Sequence, residues 1–590
     1  MYKNFFTDYL NQLQKCNQKW WEEIESNKTT FNSPLGKAIN EVNLDDITKL
    51  LEKAVSNPDA LMKIQMNWWE NQFKIWQSIS QPTQTQQKHD LIEPDKGDKR
   101  FNHPAWKEES MFNFIKQSYL LFSNTVQQTI DSVDGIEPEV KERLSFFSRQ
   151  AVNAMSPSNF ISTNPELMKL TIESNGQNLV KGIKLLKEDL DASAEMLKVR
   201  MTNSAAFELG KNIANTAGDV IYRNDLFELI EYKPTTEKVN KTPLLFIPPF
   251  INKYYILDLR EKNSMIKWLV EQGHRVFLMS WKNPNSEMAK IGFEDYVVDG
   301  ALNAINIVSD VTKQKEINVS GYCIGGTLLA TTLAYLKATG QKSKVKTATF
   351  FTTLLDFSQP GELGSFINDQ VITAIEEQNT SKGYLDGRSL SVTFSLLREN
   401  SLYWNYYIDN YLKGNSPVDF DMLYWNSDST NVSAKCHNNI LRDFYLDNSL
   451  ANGKFKVKGI EVDLSAVDTN SYFISTKEDH IALWQATYRG ALMLKGDKTF
   501  VLGDSGHIAG IVNHPSKNKY SYYTNTQLVE SPEDWKNDVK VNEGSWWTHW
   551  NEWLLQNSPS TKVLAPKNAG NDEFKSINVA PGDYVKETLS

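Results

Sequence analysis

Hydrophobic residues recur with a helical period near the start of the chain. Within residues 1–80, one apolar helix face is predicted by residues spaced three or four positions apart: Met66, Trp69, Phe73 and Trp76. This Trp-rich segment either packs on its own domain or docks on a partner or a hydrophobic phase. Residues 81–100 are polar, which predicts a linker, and residues 101–223 are helical in pattern without strand-like alternation. The chain is therefore predicted to begin with an all-helical domain.

The pattern changes at about residue 224, where short apolar runs begin to alternate with amphipathic helices. The predicted strands are 226–232, 243–250, 275–281, 317–323, 347–355, 471–476 and 498–503. Strands separated by helices imply βαβ units, so residues 224–590 are predicted to form an α/β domain around a mostly parallel sheet. The stretch 356–466 breaks this rhythm and is dense in Tyr and Trp. It is either a cap or lid over a site or an extra helical layer.

Composition narrows the classes of function. The chain has 590 residues, a formal net charge of −9 and no basic block, which argues against binding to nucleic acid. Its three cysteines, Cys16, Cys323 and Cys436, are far apart, which predicts a reducing cytoplasm and no disulfide framework. We expect neither a secretory signal nor a transmembrane segment, because no apolar run reaches about 18 residues. No His and Cys cluster has zinc spacing, so no metal is expected.

The segment from Gly321 to Gly325 matches the pattern G-x-C-x-G, the cysteine form of the nucleophile elbow. In such an elbow the nucleophile sits on a sharp turn between a strand and a helix, and glycines on both sides let the two elements approach closely. Cys323 is therefore the predicted nucleophile, whereas Cys16 and Cys436 lack such a turn. The predicted oxyanion hole combines the backbone N–H of Ile324 with that of Ile251, in the loop after strand 243–250.

The acid and the base are expected after the nucleophile, in that order. His507 follows strand 498–503 and is the predicted base, in preference to three other histidines late in the chain: His480, His514 and His549. Asp479 follows strand 471–476 and is the predicted acid. The carboxylates that compete with it are Glu478, Asp504 and Asp356.

Several motifs in a fixed order resemble the polyhydroxyalkanoate synthase family, of the single-subunit type, from about residue 98 onward. They are GYCIGGTLLA around Cys323, PPFINKYYILDLR (248–260), WLVEQGHRVFLMSWKNP (268–284), YWNSDSTN (424–431), TKEDHIALW (476–484) and GDSGHIAGIVNHP (503–515). Two departures from the usual family pattern are Asn513-His514-Pro515 and Cys436-His437. Neither departure touches the predicted triad, although both leave the shape of the side pockets open.

The resemblance implies an α/β-hydrolase fold with an aromatic cap insertion, preceded by the all-helical domain. It places the family's nucleophile, acid and base on Cys323, Asp479 and His507. Residues expected to contact substrate are Asn252, Trp425 and His480. The family also implies a homodimer in the cytoplasm at the surface of polyester granules, with granule-associated proteins as partners of the N-terminal region.

The activity implied by the resemblance is polymerisation of (R)-3-hydroxyacyl-CoA into a polyester with release of CoA. No cofactor is expected, because CoA is part of the substrate. A cysteine nucleophile suits this reaction, since attack on a thioester gives another thioester and keeps the acyl group activated. Two alternatives stay open. The same triad would serve a thioesterase or a lactone hydrolase, and a non-catalytic scaffold on the granule surface could retain the fold.

Overall fold

The protein is described by a computed structural model that covers residues 34–56, 58–80, 90–192, 198–558 and 561–589. Cys16 and the linker residues 81–89 lie outside the described residues. The chain divides into two compact units. The first unit consists of residues 1–203 and 392–418, and the second consists of the remaining residues.

Helices make up the first unit, as its sequence pattern predicts. In the described part of residues 1–203, the α-helices are Pro34–Ser56, Pro58–Ser80, Ala105–Glu108, Ser110–Ser132, Pro138–Ala154, Pro165–Glu173 and Gln177–Ala192. Several of these helices begin with proline. The backbone N–H of a first helical residue has no acceptor within the helix, so proline, which lacks this N–H, loses no hydrogen bond there. Between residues 392 and 418 lie Asn405–Tyr407 and the π-helices Asn400–Trp404 and Ile408–Leu412.

The helix Pro58–Ser80 carries the predicted apolar face. Met66, Trp69, Phe73 and Trp76 have exposed fractions between 56% and 66%, while Ile75 on the opposite side is buried. The interpretation of this face as a docking surface stays a prediction. None of the described helices is long and apolar enough to cross a membrane.

Residues 392–418 lie inside the stretch that the sequence predicts as an insertion of the α/β domain, yet they pack with the N-terminal helices. The carboxylate of Glu399 accepts a hydrogen bond from Asn153 Nδ2 at 2.5 Å. The hydroxyl of Tyr411 donates to Asp189 at 2.5 Å. The aromatic stretch is therefore divided between the two units.

An 11-stranded sheet forms the centre of the second unit in the described part of the chain. Its strands are β1 Gly218–Arg223, β2 Phe227–Tyr232, β3 Leu244–Ile247, β4 Val276–Trp281, β5 Ile317–Tyr322, β6 Val345–Phe351, β7 Asn470–Thr476, β8 Lys498–Gly503, β9 Ser521–Thr524, β10 Lys540–Glu543 and β11 Asn578–Val579. Their order across the sheet is β10-β9-β8-β7-β6-β5-β3-β4-β2-β1-β11. The central strands from β8 to β4 are parallel.

All seven predicted strands are present, and the predicted mostly parallel sheet is confirmed. The strands that the pattern missed lie at the two antiparallel edges: β1, β9, β10 and β11. Three further antiparallel pairs are Lys238–Asn240 with Lys562–Leu564, Tyr384–Leu385 with Val432–Ser433, and Lys456–Val457 with Ile460–Glu461.

Helices cover both faces of the sheet. The α-helices are Met265–Glu271, Phe293–Asp295, Asn303–Thr312, Ile324–Ala338, Asp369–Lys382, Gly387–Leu396, Asp421–Ser427, Ala434–Asn439, Trp484–Met493, Pro532–Asn537 and Trp546–Asn557, and the π-helices are Tyr296–Leu302 and Ile440–Leu446. Much of the tryptophan surplus is buried on the last α-helix, where Trp550 donates its Nε1–H to Thr349 of β6 at 3.0 Å. Two large apolar cores result.

The helix Ile324–Ala338, called the elbow helix below, follows β5 at very close range. A Cβ at Gly321 would lie 2.5 Å from the Cα of Gly326. A Cβ at Gly325 would lie 2.7 Å from the carbonyl oxygen of Pro248, just after β3, and closer still to that of Ile247. Glycine is therefore required at Gly321 and Gly325, because backbone atoms of neighbouring residues occupy the space that a Cβ would need.

We predict that Gly325→Ala destabilises the protein by about 1–3 kcal/mol or more, because rigid backbone atoms occupy the space of the new methyl group. Thermal unfolding of the purified variant measures the loss. Gly503→Ala is the matched control, since its nearest neighbour would lie at an ordinary contact distance of 3.6 Å. Equal stability of the two variants would contradict the prediction.

Candidate active site

Cys323 occupies the turn between β5 and the elbow helix. Its backbone has φ 53° and ψ −123°, a conformation that costs an L-residue about 1–3 kcal/mol. The N–H of Cys323 donates to the carbonyl of Phe351, at the end of the neighbouring strand β6, at 2.9 Å. This arrangement lifts a partly exposed thiol above the carboxyl edge of the sheet, at the N-terminus of a helix.

His507 lies in the loop that follows β8, and three aromatic side chains hold this loop. Trp546 and Trp547 donate their Nε1–H groups to the carbonyls of Gly510 and Ile511 at 3.0 and 2.8 Å. Tyr322, the residue before the nucleophile, donates its hydroxyl to the carbonyl of His507 at 3.0 Å. The imidazole therefore has a fixed position over the elbow.

Asp479 follows β7 and contacts His507 directly. Its Oδ2 lies 2.7 Å from His507 Nδ1. Its Oδ1 accepts the backbone N–H groups of Ile481 and Ala482, each at 2.9 Å. The side chain is fully buried, so both carboxylate oxygens are used inside the protein.

The charges around His507 favour its protonated form. Burial disfavours an imidazolium, but the Asp479 carboxylate and the Cys323 sulfur outweigh it and raise the pKa of His507 to about 10. The Cys323 sulfur is close enough to His507 to act on the charge of the imidazole. The structure thus brings Cys323, His507 and Asp479 together at one place.

The competing residues have other contacts. Asp504 accepts the N–H of Ser521 at 3.0 Å and lies 3.1 Å from Lys477 Nζ. Asp356 accepts Asn448 Nδ2 at 2.8 Å. Glu478 is exposed. None of these carboxylates is the one that contacts His507 Nδ1.

The remaining late histidines also differ from His507 in their surroundings. His514 Nδ1 lies 2.8 Å from Ser516 Oγ. His549 Nδ1 lies 3.0 Å from the hydroxyl of Tyr472. His480 directly follows Asp479 and is half-buried. Its predicted contact with substrate stays a prediction.

The two predicted oxyanion donors lie on neighbouring strands. Ile324 is the first residue of the elbow helix, and an N–H at that position has no acceptor within the helix. Ile251 lies in the loop after β3, whose last residue Ile247 pairs with Gly321 of β5. Asn252, the next residue in this loop, has φ 68°. The loop therefore runs beside the elbow.

Trp425 belongs to the same apolar cluster as Cys323 and is buried. Its Nε1–H donates to the carbonyl of Lys253 at 2.6 Å, so it contacts the loop that carries Ile251. A role in substrate binding stays a prediction for Trp425 and Asn252.

Sequence reasoning missed several residues at this site. Lys253 is buried and forms an ion pair with Asp428 at 2.7 Å. Thr430 contacts the loop through its hydroxyl. Burial and the negative charges of Cys323 and Asp479 raise the pKa of Tyr445, which keeps its phenol protonated near the triad. The motif PPFINKYYILDLR contains Lys253, and YWNSDSTN contains Asp428 and Thr430, but neither motif assigned them roles.

In the part of the chain that the structure describes, no group of three or more His, Cys, Asp or Glu side chains could hold a metal ion.

Two families match the chain. Residues 97–269 match the family described as Poly-beta-hydroxybutyrate polymerase (PhaC) N-terminus, and residues 242–514 match the alpha/beta hydrolase fold family. The predicted α/β-hydrolase fold is thereby confirmed for the second unit.

Curated relatives match the chain almost from end to end. A poly(3-hydroxyalkanoate) polymerase of Methylorubrum extorquens is 40% identical, over 92% of this chain and 89% of the relative. The polymerase subunit PhaC of Cupriavidus necator is 41% identical, over 90% and 89%. That of Rhizobium meliloti is 38% identical, over 98% and 93%. The chain therefore belongs to the poly(3-hydroxyalkanoate) polymerase family of enzymes.

Proposed function

We propose that this protein polymerises (R)-3-hydroxyacyl-CoA, with (R)-3-hydroxybutyryl-CoA as the first substrate to test, through an acyl group carried on Cys323. The observation that carries the proposal is the placement of Cys323 on the strained elbow, close to the His507–Asp479 pair. Membership of the polymerase family supports the class of substrate and product.

In the first half of the cycle, the enzyme acylates itself. Burial disfavours a charged His507, but Asp479 and Cys323 raise its pKa to about 10, and His507 accepts the proton of the Cys323 thiol to give a thiolate. The thiolate attacks the thioester carbonyl, and the backbone N–H groups of Ile324 and Ile251 stabilise the oxyanion. The carbon–sulfur bond to CoA then breaks, and the imidazolium donates its proton to the departing CoA sulfur.

In the second half, the acyl group passes to an alcohol. Neutral His507 accepts the proton of a 3-hydroxyl group while that oxygen attacks the acyl-cysteine. An ester bond forms, and the Cys323 sulfur leaves as the thiolate. Both oxygens of Asp479 already accept hydrogen bonds inside the protein, which supports an orienting role for Asp479 rather than direct contact with the hydroxyl.

The surroundings of the triad favour transfer to an alcohol over hydrolysis. Trp425 and Tyr322 are buried in the apolar cluster against which Cys323 packs, and Tyr445 adds a protonated phenol near Cys323. Apolar walls of this kind suit a growing polyester and exclude water from the acyl-cysteine.

The proposal also covers the cofactor requirement, the oligomeric state, the location and the partners of the protein. We infer that the cycle uses no cofactor, since CoA enters with the substrate. A homodimer, location at the granule surface and contacts of the N-terminal region with granule-associated proteins rest on the family resemblance. The exposed apolar face of the helix Pro58–Ser80 supports the last of these.

We predict that Cys323→Ala abolishes both CoA release and polymer formation. The assay incubates purified protein with (R)-3-hydroxybutyryl-CoA and follows free thiol together with turbidity. Cys436→Ala is the matched control, because Cys436 is a buried cysteine of the aromatic insertion. This variant should retain activity.

The same assay separates the alternatives. Thiol release with only soluble 3-hydroxybutyrate would identify a hydrolase and refute the proposed acceptor. Thiol release and polymer that persist in Cys323→Ala would refute the proposed nucleophile. Absence of thiol release from the wild type would favour a scaffold.

A further prediction concerns how the stability of the protein depends on pH through His507. Because the pKa of His507 is raised to about 10 in the folded protein, from about 6.5 when unfolded, the attraction of its imidazolium to Asp479 and Cys323 stabilises the fold fully below about pH 6.5. This contribution is lost as the pH rises through about 10. We therefore expect the difference in unfolding free energy between wild type and His507→Gln to shrink over this range, as measured by urea unfolding. A difference that does not vary with pH would contradict the assignment.

A further inference from the structure

The loop that carries Ile251 is held by one short segment of the aromatic insertion, residues 425–430. Trp425 donates to the carbonyl of Lys253 at 2.6 Å. The ammonium of Lys253 lies 2.7 Å from Asp428 Oδ1. This segment and the loop are more than 170 residues apart in sequence, so tertiary structure alone brings them together.

Thr430 contacts the loop on both sides of Ile251. The N–H of Asn252 donates to Thr430 Oγ1 at 2.8 Å. The same hydroxyl donates to the carbonyl of Phe250 at 3.2 Å. One side chain thus fixes the peptide before Ile251 and the peptide after it.

This double contact sets the direction of the Ile251 N–H. In a trans peptide the carbonyl and the following N–H point in opposite directions. Because the Phe250 carbonyl points toward Thr430, the Ile251 N–H of the same peptide points away from Thr430. The N–H of Asn252, in the next peptide, points back to Thr430.

The buried ion pair indicates that the segment has more than a packing role. The side chains of Lys253 and Asp428 are 3% and 14% exposed, and burial of two charges costs several kcal/mol before their attraction offsets it. Tyr255 donates its hydroxyl to the second oxygen of Asp428 at 2.9 Å, which fixes the carboxylate. A pair of apolar side chains would fill the same space with a smaller free-energy cost of burial, but it would not fix the orientation of the loop.

We propose that Thr430 is a positioning residue for acyl transfer: its hydroxyl orients the Ile251 N–H as an oxyanion donor, and the Lys253–Asp428 ion pair anchors the same segment. This inference rests on the proposed function, because it assigns the Ile251 N–H to the oxyanion of the acyl-transfer step.

The test compares Thr430→Val, which keeps the shape and removes the hydroxyl, with Thr430→Ser, which keeps the hydroxyl. We expect Thr430→Val to lower kcat for CoA release by about 10-fold to 100-fold with little change in KM, because a misaligned donor weakens only the transition state. Thr430→Ser should stay close to the wild type. Thr312→Val is the matched control, since Thr312 is 9% exposed against 7% for Thr430 and donates to a helix carbonyl.

A second readout separates positioning from general damage. Alkylation of Cys323 by iodoacetamide needs the thiolate but forms no oxyanion. We therefore expect Thr430→Val to be alkylated at the wild-type rate while its CoA release is slow.

Three results would overturn the inference. Wild-type kcat in Thr430→Val would show that the hydroxyl is not needed. Parallel loss of alkylation and CoA release would show general damage to the site. Equal loss in Thr430→Ser would show that the hydroxyl is not what matters. If the wild type itself releases no CoA, the proposed function fails and this inference fails with it.

Discussion

The close approach of the elbow helix to the end of β3 is the constraint on which the rest of the site depends. At Gly325 the carbonyl groups of Ile247 and Pro248 occupy the space that a methyl group would need. The approach forces Cys323 into a left-handed backbone, with φ 53°, and places it at a helix N-terminus. It also sets the elbow beside the loop of Ile251. A strained turn and a predicted oxyanion donor thus come from one packing contact.

The parallel sheet supplies the other half of the arrangement. Strands β5, β7 and β8 end at the same edge of the sheet, so Cys323, Asp479 and His507 meet there although they lie far apart in sequence. Tryptophans of the C-terminal helix hold the His507 loop by hydrogen bonds. The aromatic composition therefore contributes to the geometry of the site as well as to its apolar core.

Much of the fold was predictable because the central strands are continuous apolar runs. The edge strands β9 and β10 were missed because they are short. The residues of β9 are only partly buried and those of β10 are mostly exposed, so their sequences show no apolar face. The elbow marked Cys323, and chain order marked His507. Asp479 was predicted from its place after strand 471–476, and the structure adds its contact with His507 Nδ1, which Asp504 and Asp356 do not make. Thr430 could not be predicted, because its contacts join segments that are distant in sequence.

We propose that the polyester grows from an acyl group on Cys323. The most direct test quenches the enzyme after brief incubation with (R)-3-hydroxybutyryl-CoA, digests it and measures peptide masses. We predict a 3-hydroxyacyl adduct on the peptide that contains Cys323, which hydroxylamine removes as it removes a thioester. Polymer formation with an unmodified Cys323, or with the acyl group on another residue, would contradict it.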